Sequence, residues 1–158
     1  MADYCYILEK YYEDHPDLVK ILDPKDESKH NVRTHLCLSV KYNDWYALIP
    51  LRKNLGDAKR AFGIIGYSVP SASKPRAGLD YRYIMIIKEE EYLRFDIPRI
   101  SKVQKNKIDL EVATIEAQAI EYIESFIRVA KKDRVEKTAR FRASSLINFI
   151  DELKINDK

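Results

Sequence analysis

The chain has few of the residues that build phosphate-binding loops, metal centres and disulfide frameworks. It contains four glycines and neither a GxGxxG nor a GxxxxGK[ST] motif, which argues against a glycine-rich nucleotide-binding loop. Its two cysteines and three histidines are scattered without metal-ligand spacing, and there is no HExxH motif. No GxSxG motif is present either. Nucleotide-dependent enzymes, zinc sites and α/β-hydrolases are therefore disfavoured, and no cofactor or metal is expected.

Targeting and membrane signals are also missing. No run of 18 apolar residues occurs, and the first residues, MADYCY, do not combine a basic region with an apolar one. Cys5 and Cys37 both lie in apolar contexts, which predicts reduced cysteines in the core of a cytoplasmic protein. A length of 158 residues fits one domain, residues 1–158, with a single core.

The order of strands and helices predicts an α+β fold with a mostly antiparallel sheet and a helical C-terminal half. Strands are expected at residues 4–8, 34–42, 45–51, 61–67 and 81–87, with a hairpin turn at Asn43-Asp44. Residues 68–78 are rich in Ser, Pro and cations and are expected to form a loop. Helices are expected at residues 11–22, 108–130 and 144–154, and a further short one at 133–141.

What the chain does contain is tyrosine and clustered positive charge. There are 11 tyrosines, and the segment 128–142 carries seven cations against two acidic residues. Single-stranded RNA is bound by aromatic rings that stack on bases and by Lys and Arg that hold phosphates. The alternative is that the rings are half-buried core residues and the charges a solvated helix face. Candidate RNA contacts are Tyr11, Lys59, Arg60, Lys74, Arg76, Lys131, Lys132, Arg134, Lys137, Arg140 and Arg142.

An apolar strand that ends in two cations, Arg52-Lys53, is the most specific chemical feature. RNA can be cut without metal when its 2′-hydroxyl attacks the neighbouring phosphate, which requires proton transfer and cations around the charged transition state. Arg52 and Lys53 are candidate cations, and His35 on the preceding strand is a candidate acid or base. A solvated strand end and a structural histidine are the alternatives.

Several segments in order resemble one family of toxins. They are YALIPLRKN, a basic Ser/Pro loop, GLDYRYIMII, AIEYIESFIRVAKKDRVEKTARF and NFIDELK. Together they resemble the toxins of type III toxin–antitoxin systems, the ToxN/AbiQ group, and most closely its CptN-like branch. The resemblance implies a compact, strongly twisted antiparallel sheet with flanking helices, a partial barrel similar to the MazF/Kid toxins. It implies a sequence-specific, metal-independent endoribonuclease. It also implies a small antitoxin RNA of pseudoknot repeats, which the toxin processes and with which it forms protein–RNA hetero-oligomers, and a role in abortive infection against phage.

The resemblance places the active centre directly after Pro50-Leu51, where family members carry Ser or Thr followed by Lys. This chain has Arg52-Lys53-Asn54 there, so Lys53 matches the cation while the hydroxyl has no counterpart. The remaining matches are Ser71 and Ser73 as sources of the hydroxyl, Arg33 as the basic residue that opens the second strand, Tyr11 or Tyr12 as the aromatic, and Arg82 as an additional charge. The candidate catalytic set is Lys53, Arg52, His35, Arg33 and Tyr12. A non-catalytic RNA-binding module and a protein-interaction domain are the competing interpretations.

Overall fold

The structure, a computed structural model, describes residues 2–22, 25–26, 31–32 and 35–156. Within these ranges the fold is α+β. The strands are β1 (Asp3–Ile7), β2 (Lys25–Asp26), β3 (Asn31–Val32), β4 (Leu36–Tyr42), β5 (Trp45–Arg52), β6 (Lys59–Arg60), β7 (Gly63–Ile64), β8 (Gly66–Ser68), β9 (Gly78–Asp80), β10 (Met85–Ile87) and β11 (Leu93–Phe95). The α-helices are α1 (Glu9–Asp14) and α2 (Lys102–Lys131), and the 3₁₀ helices are Tyr81–Tyr83, Glu90–Tyr92, Val135–Lys137 and Ser145–Phe149.

One antiparallel sheet organises the fold. Its strand order is β11-β1-β4-β5-β9-β8, and β10 pairs with β5 beside this path. The pairs β2–β3 and β6–β7 form two small separate ribbons. Within the described residues β11 and β8 lie at opposite ends of the path, so the sheet is not a closed barrel. The predicted α+β class and antiparallel sheet are confirmed at this level.

The β4–β5 hairpin forms where the sequence predicts it. Tyr42 pairs with Trp45, and Asn43 has a φ of 54°, a left-handed conformation that Asn tolerates better than most residues. The middle of β5, residues 47–50, is buried without a break. A strand with consecutive buried residues is covered on both faces, so β5 runs through the interior of the domain.

Helix α2 packs its apolar stripe against the sheet. The fully buried residues of the stripe are Ile115, Ala119, Tyr122, Ile123 and Phe126. The predicted helix is confirmed, but its predicted start at residue 108 is wrong by six residues. Ser101 caps the helix by accepting the Gln104 N–H at 3.2 Å, and this Ser-x-x-Gln pattern marks a helix start that the apolar period alone does not reveal.

The other predicted helices are shorter or absent. Helix α1 ends at Asp14 rather than at residue 22, because Pro16 disfavours helical backbone at His15, which has φ −130°. The segment 133–141 contains only the 3₁₀ turn Val135–Lys137. In the segment 144–154, Ser144 caps a 3₁₀ helix of five residues that forms in place of the expected α-helix. The helical character of the C-terminal half is therefore carried mainly by α2.

Two predicted strands are also corrected. Residues 61–67 were expected as one strand, yet Gly63 and Gly66 divide the region into β7 and β8. The expected strand at 81–87 begins with the 3₁₀ turn Tyr81–Tyr83, whose N-cap is Asp80, and only Met85–Ile87 pairs as a strand. Strand β11 was not predicted, because its three residues are too few to show an alternating pattern.

The two cysteines are cross-strand neighbours in the core. Cys5 on β1 lies opposite Cys37 on β4, and both are buried free thiols, as the sequence predicts. Burial raises the pKa of the Cys5 thiol to about 12, so it stays protonated at neutral pH. In the described part of the chain, no helix combines the length and apolarity that crossing a bilayer requires.

The segment after β5 is fixed to the sheet by Leu55, which packs into space left by two glycines. Leu55 is buried, and a Cβ on Gly78 would lie 2.5 Å from Leu55 Cδ2 and 2.6 Å from the Tyr67 carbonyl oxygen. A Cβ on Gly66 would lie 2.4 Å from the Leu79 carbonyl oxygen. These distances are shorter than van der Waals contact allows, so both positions require glycine.

Replacing Gly78 with alanine should therefore destabilise the domain. The added methyl forces Leu55 and the β8–β9 ladder apart, and overpacking of this kind costs about 2 kcal/mol. Urea unfolding of Gly78→Ala measures the effect. A midpoint equal to that of the parent protein would contradict the close packing.

Candidate active site

Strand β5 pairs with β4 on one side, and on its other side the partner changes from β10 to β9 just before Arg52 and Lys53. It pairs with β4 along residues 45–50, with β10 at Tyr46–Leu48, and with β9 only at Leu51 and Arg52. Ile49 and Pro50 lie between the β10 and β9 ladders. Proline lacks an N–H, so it suits a position where one ladder stops and another begins. Arg52 is thus the last residue of β5, and the exposed Lys53 follows it.

One buried carboxylate holds the guanidiniums of Arg52 and Arg82. Asp80, the last residue of β9, is 0% exposed. Its Oδ2 accepts hydrogen bonds from Arg52 Nη1 at 3.1 Å and from Arg82 Nη2 at 2.9 Å. Its Oδ1 accepts from the Nε and the backbone N–H of Arg82, both at 3.0 Å. The carboxylate is fully engaged, so it fixes the two arginines and is not free to act as a base.

The guanidinium cluster of Arg52, Asp80 and Arg82 carries a net charge of +1. Hydrogen bonding to Asp80 raises the pKa of Arg82, which therefore stays cationic. The Arg52 and Arg82 side chains remain 31% and 22% exposed. Their guanidinium carbons lie 5.0 and 5.8 Å from the ring centre of Tyr83. Fixed guanidiniums with donors left for solvent are suited to binding a phosphate oxygen.

Tyr83 also lines a small pocket that contains two candidate catalytic residues. Tyr12 of α1 and His35, one residue before β4, face this pocket together with Pro50. Its other walls are mainly apolar, formed by Ile7, Ile21, Leu22, Cys37 and Met85. The pocket encloses about 20 Å³, enough for about one water molecule. A nucleotide is too large for this space and would have to lie over Tyr83 and the guanidinium cluster.

The two polar residues of the pocket differ in their chemistry. Burial raises the pKa of Tyr12, so its phenol stays protonated and can donate a hydrogen bond but not accept a proton. His35 is half-buried, and its carbonyl accepts a hydrogen bond from the Cys37 thiol at 3.5 Å. Imidazole is the side chain that exchanges protons near neutral pH, so His35 is the proton-transfer candidate of the pocket.

The backbone on both sides of Lys53 is fixed. Arg52 belongs to the β5–β9 ladder, and the Leu55 N–H donates to the Arg76 carbonyl at 2.7 Å. The Leu55 side chain is held between Gly66 and Gly78, as described above. Lys53 is exposed on this anchored segment. A cation in this position is placed by the sheet rather than by a flexible loop.

The remaining candidate catalytic and RNA-binding residues before Tyr81 do not belong to this site as far as the structure describes them. Arg33 lies outside the described residues. Ser71 is part of a turn in which its Oγ accepts the Lys74 N–H at 3.1 Å. Ser73 and Lys74 are exposed in the same loop, and Lys59 is exposed on β6. The hydroxyl that the family resemblance expects next to the lysine therefore has no counterpart adjacent to Lys53 in sequence.

Tyr11 is a core residue. It is 4% exposed, its ring stacks on His15 at 4.3 Å, and it makes edge contacts with Tyr12 and Tyr92. Burial raises its pKa, in keeping with this position. In this arrangement the ring of Tyr11 has no free face for a base, so Tyr83 is the better placed aromatic.

The cations near the end of α2 form two groups. The exposed ones are Arg128, Lys131, Lys132, Arg134, Lys137 and Arg142. Arg140 differs, since its side chain is 12% exposed and donates two hydrogen bonds to Glu121, at 2.7 and 3.1 Å. Its Nε also donates to the Ile64 carbonyl at 2.8 Å. Arg140 therefore connects α2, β7 and the C-terminal segment.

Replacing Arg140 with glutamine should lower the stability of the domain at pH 7 by about 2 kcal/mol, because the Ile64 bond and the Glu121 pair are both lost. The hydrogen bonds from Arg140 lower the pKa of Glu121. A lowered pKa contributes stability above the ordinary Glu value, near 4.5, and this contribution is lost as the pH falls through the folded-state pKa. The penalty of Arg140→Gln should therefore shrink below about pH 4. A pH-independent penalty in urea unfolding would show that the Glu121 pair contributes nothing.

Comparison with known proteins gives no relative, since no family model, curated protein or solved structure matches the chain. Among the described residues, no group of three or more His, Cys, Asp or Glu side chains is arranged to hold a metal ion.

Sequence reasoning missed Asp80, Tyr83 and Leu55. For Asp80 the sequence does contain an indication. In the stretch GLDYRY it is the single acidic residue between an apolar strand and Arg82, which makes it a candidate partner for that arginine. The contact between Asp80 and Arg52 joins positions 28 residues apart, and only the β5–β9 pairing reveals it.

Proposed function

We propose that this protein is a metal-independent, sequence-specific endoribonuclease that cuts RNA by attack of the 2′-hydroxyl on the adjacent phosphate. The guanidinium cluster at the end of β5, next to the pocket of Tyr12, His35 and Tyr83, carries this proposal. Together, the guanidinium cluster and the pocket offer fixed positive charge, a proton-transfer group and an aromatic ring within one region. The family resemblance of the sequence supports the same function.

The chemistry assigns a role to each group. The 2′-oxygen bonds to phosphorus, the bond from phosphorus to the 5′-oxygen breaks, and a 2′,3′-cyclic phosphate and a 5′-hydroxyl result. The 2′-hydroxyl loses one proton and the 5′-oxygen gains one, so the protons balance. His35 transfers one of them, directly or through one water molecule, and solvent water exchanges the other. Arg52, Arg82 and Lys53 neutralise the additional charge on the phosphate oxygens. Tyr12 donates a hydrogen bond, and Tyr83 stacks on a base beside the cleaved bond.

The proposal extends to the biological context of the enzyme. In this interpretation the protein is a toxin that arrests growth by cutting cellular or phage RNA, and its sheet curls as a partial barrel like that of the MazF/Kid toxins. A pseudoknot antitoxin RNA, cut from repeats by the toxin itself, blocks the same cationic surface in a protein–RNA assembly. Tandem short repeats followed by a terminator, directly upstream of the reading frame, are the genomic arrangement that this context requires.

Incubation of the purified protein with RNA in excess EDTA tests the reaction. We expect fragments that end in 2′,3′-cyclic phosphate and begin with 5′-hydroxyl, identified by mass spectrometry. The same RNA with 2′-O-methyl groups should stay intact, because its nucleophile is blocked. Products with 5′-phosphate ends, or cleavage of the methylated RNA, would contradict the mechanism.

A non-catalytic RNA-binding module is the second candidate. The six exposed cations around the end of α2 favour it, since they are sufficient for phosphate contacts without any chemistry. This candidate predicts intact RNA in a salt-sensitive complex under the conditions above.

A further inference from the structure

Two other guanidiniums converge on Gly56, four residues after the end of β5. A Cβ on Gly56 would lie 3.2 Å from Arg76 Nη2 and 3.5 Å from Arg60 Nη2. Gly56 has a φ of +74°, a conformation that residues with side chains rarely adopt. The absence of a side chain therefore lets both guanidiniums approach the same stretch of backbone.

Both arginines are held there by neutral oxygen atoms. Arg60 donates from Nε to the Asp57 carbonyl at 2.6 Å and from Nη2 to the Leu55 carbonyl at 3.3 Å. Arg76 Nε donates to Asn54 Oδ1 at 3.3 Å. Among the described residues, neither guanidinium makes an ion pair with a carboxylate.

This arrangement differs from the guanidinium cluster, where Asp80 compensates half of the positive charge. Two neighbouring cations without a carboxylate repel each other, and the repulsion is relieved when an anion binds between them. Their remaining N–H groups are forks suited to phosphate oxygens, and Arg76 is exposed while Arg60 is half-exposed.

We propose that Arg60 and Arg76 form a second phosphate-binding subsite around Gly56, which binds a backbone phosphate of the same RNA strand away from the cleaved bond. We call it the Gly56 subsite. It rests on the proposed function, because it extends the substrate surface of that enzyme beyond the scissile phosphate.

The position of the Gly56 subsite fits a continuous strand. Arg52 pairs with Gly78, and Arg76 precedes Gly78 by two residues and binds the Leu55 N–H through its carbonyl. Four residues of extended chain span at most about 14 Å, which limits the distance between the Cα atoms of Arg52 and Gly56. A few nucleotides of single-stranded RNA cover such a distance, so the enzyme requires a substrate longer than a dinucleotide.

Salt titration of RNA binding tests the subsite. The probe is a 2′-O-methyl RNA of about 20 nucleotides, which cannot be cut and so reports binding alone. Arg60→Gln/Arg76→Gln should bind it about tenfold more weakly at 0.1 M salt. The slope of log K against log salt should fall by about 0.7, the value for one phosphate on a single strand. Arg94→Gln on β11, at the opposite end of the sheet, is the matched control and should keep the parental slope.

Two further variants separate charge from structure. Arg60→Lys/Arg76→Lys keeps both charges and should keep most of the slope. Asn54→Asp places a carboxylate where an amide oxygen now lies 3.3 Å from Arg76 Nε. The new carboxylate forms an ion pair with Arg76 and compensates its charge. It should weaken RNA binding without lowering the melting temperature. A purely structural role of Arg76 predicts the opposite, unchanged affinity with a changed melting temperature.

The outcomes distinguish the subsite from the proposed function. If the parent cuts RNA and the glutamine variant keeps the parental affinity and slope, the subsite is wrong while the enzyme stands. If the parent binds RNA with a slope that depends on Arg60 and Arg76 but never cuts it, the subsite stands as part of a binding module. If the parent does not bind RNA at all, both are overturned.

Discussion

Lys53→Ala should cut RNA about 10²- to 10³-fold more slowly than the parent protein, because one cation next to the reacting phosphate is lost. Its unfolding free energy should change by no more than about 1 kcal/mol, since the residue is exposed at a strand end and polar contacts of exposed side chains contribute little. Single-turnover cleavage of a radiolabelled RNA measures the first quantity, and urea unfolding measures the second. In cells, the variant should fail to arrest growth when it is expressed without an antitoxin.

Two further variants are the controls for Lys53→Ala. Lys53→Arg keeps the charge on the same anchored segment and should recover part of the rate. Lys102→Ala removes an exposed lysine from the first turn of α2 and should leave cleavage unchanged. A Lys53→Ala variant that cuts at the parental rate and still arrests growth would remove Lys53 from the site.

The parts of the fold that are visible in the sequence are those encoded by local pattern. The hairpin at Asn43-Asp44 combines turn residues with apolar strands on both sides, and the apolar stripe of α2 recurs at helical spacing. Where the prediction fails, a nearby residue accounts for the difference, such as Pro16 after the end of α1 or the glycines that begin β7 and β8. The short strand β11 carries too few residues for any pattern.

The candidate site was only partly visible, because its main contacts join distant positions. Charge and strand position identify Arg52, Lys53 and His35 without the structure. The role of Asp80 depends on the β5–β9 ladder, which nothing in the local sequence specifies. In the same way, sequence alone does not separate Arg140, which is held by Glu121, from the exposed cations around it.

Asp80→Ala should be the most damaging single change in the site. It leaves the guanidiniums of Arg52 and Arg82 side by side without their shared anion, and breaking such a partly buried pair costs about 3 kcal/mol. RNA cleavage should fall together with stability, because Asp80 is a positioning residue that orients both arginines. Acetate or formate added at high concentration should restore part of the lost stability to Asp80→Ala and none to the parent protein, as a carboxylate fits the vacated position.

A triple variant separates the structural role of the guanidinium cluster from its chemical one. Arg52→Met/Asp80→Leu/Arg82→Met removes all three charges and keeps similar volumes, and apolar replacement of a whole buried ionic group often leaves stability unchanged. We therefore expect it to unfold within about 1 kcal/mol of the parent, the cost of losing the bond from the Arg82 backbone N–H to Asp80, while its cleavage of RNA stays lost. Recovery of stability without activity assigns the two arginines to the phosphate. A stable triple variant that cuts RNA at the parental rate would show that the charges at the end of β5 serve the fold alone, and the active site would have to be sought elsewhere.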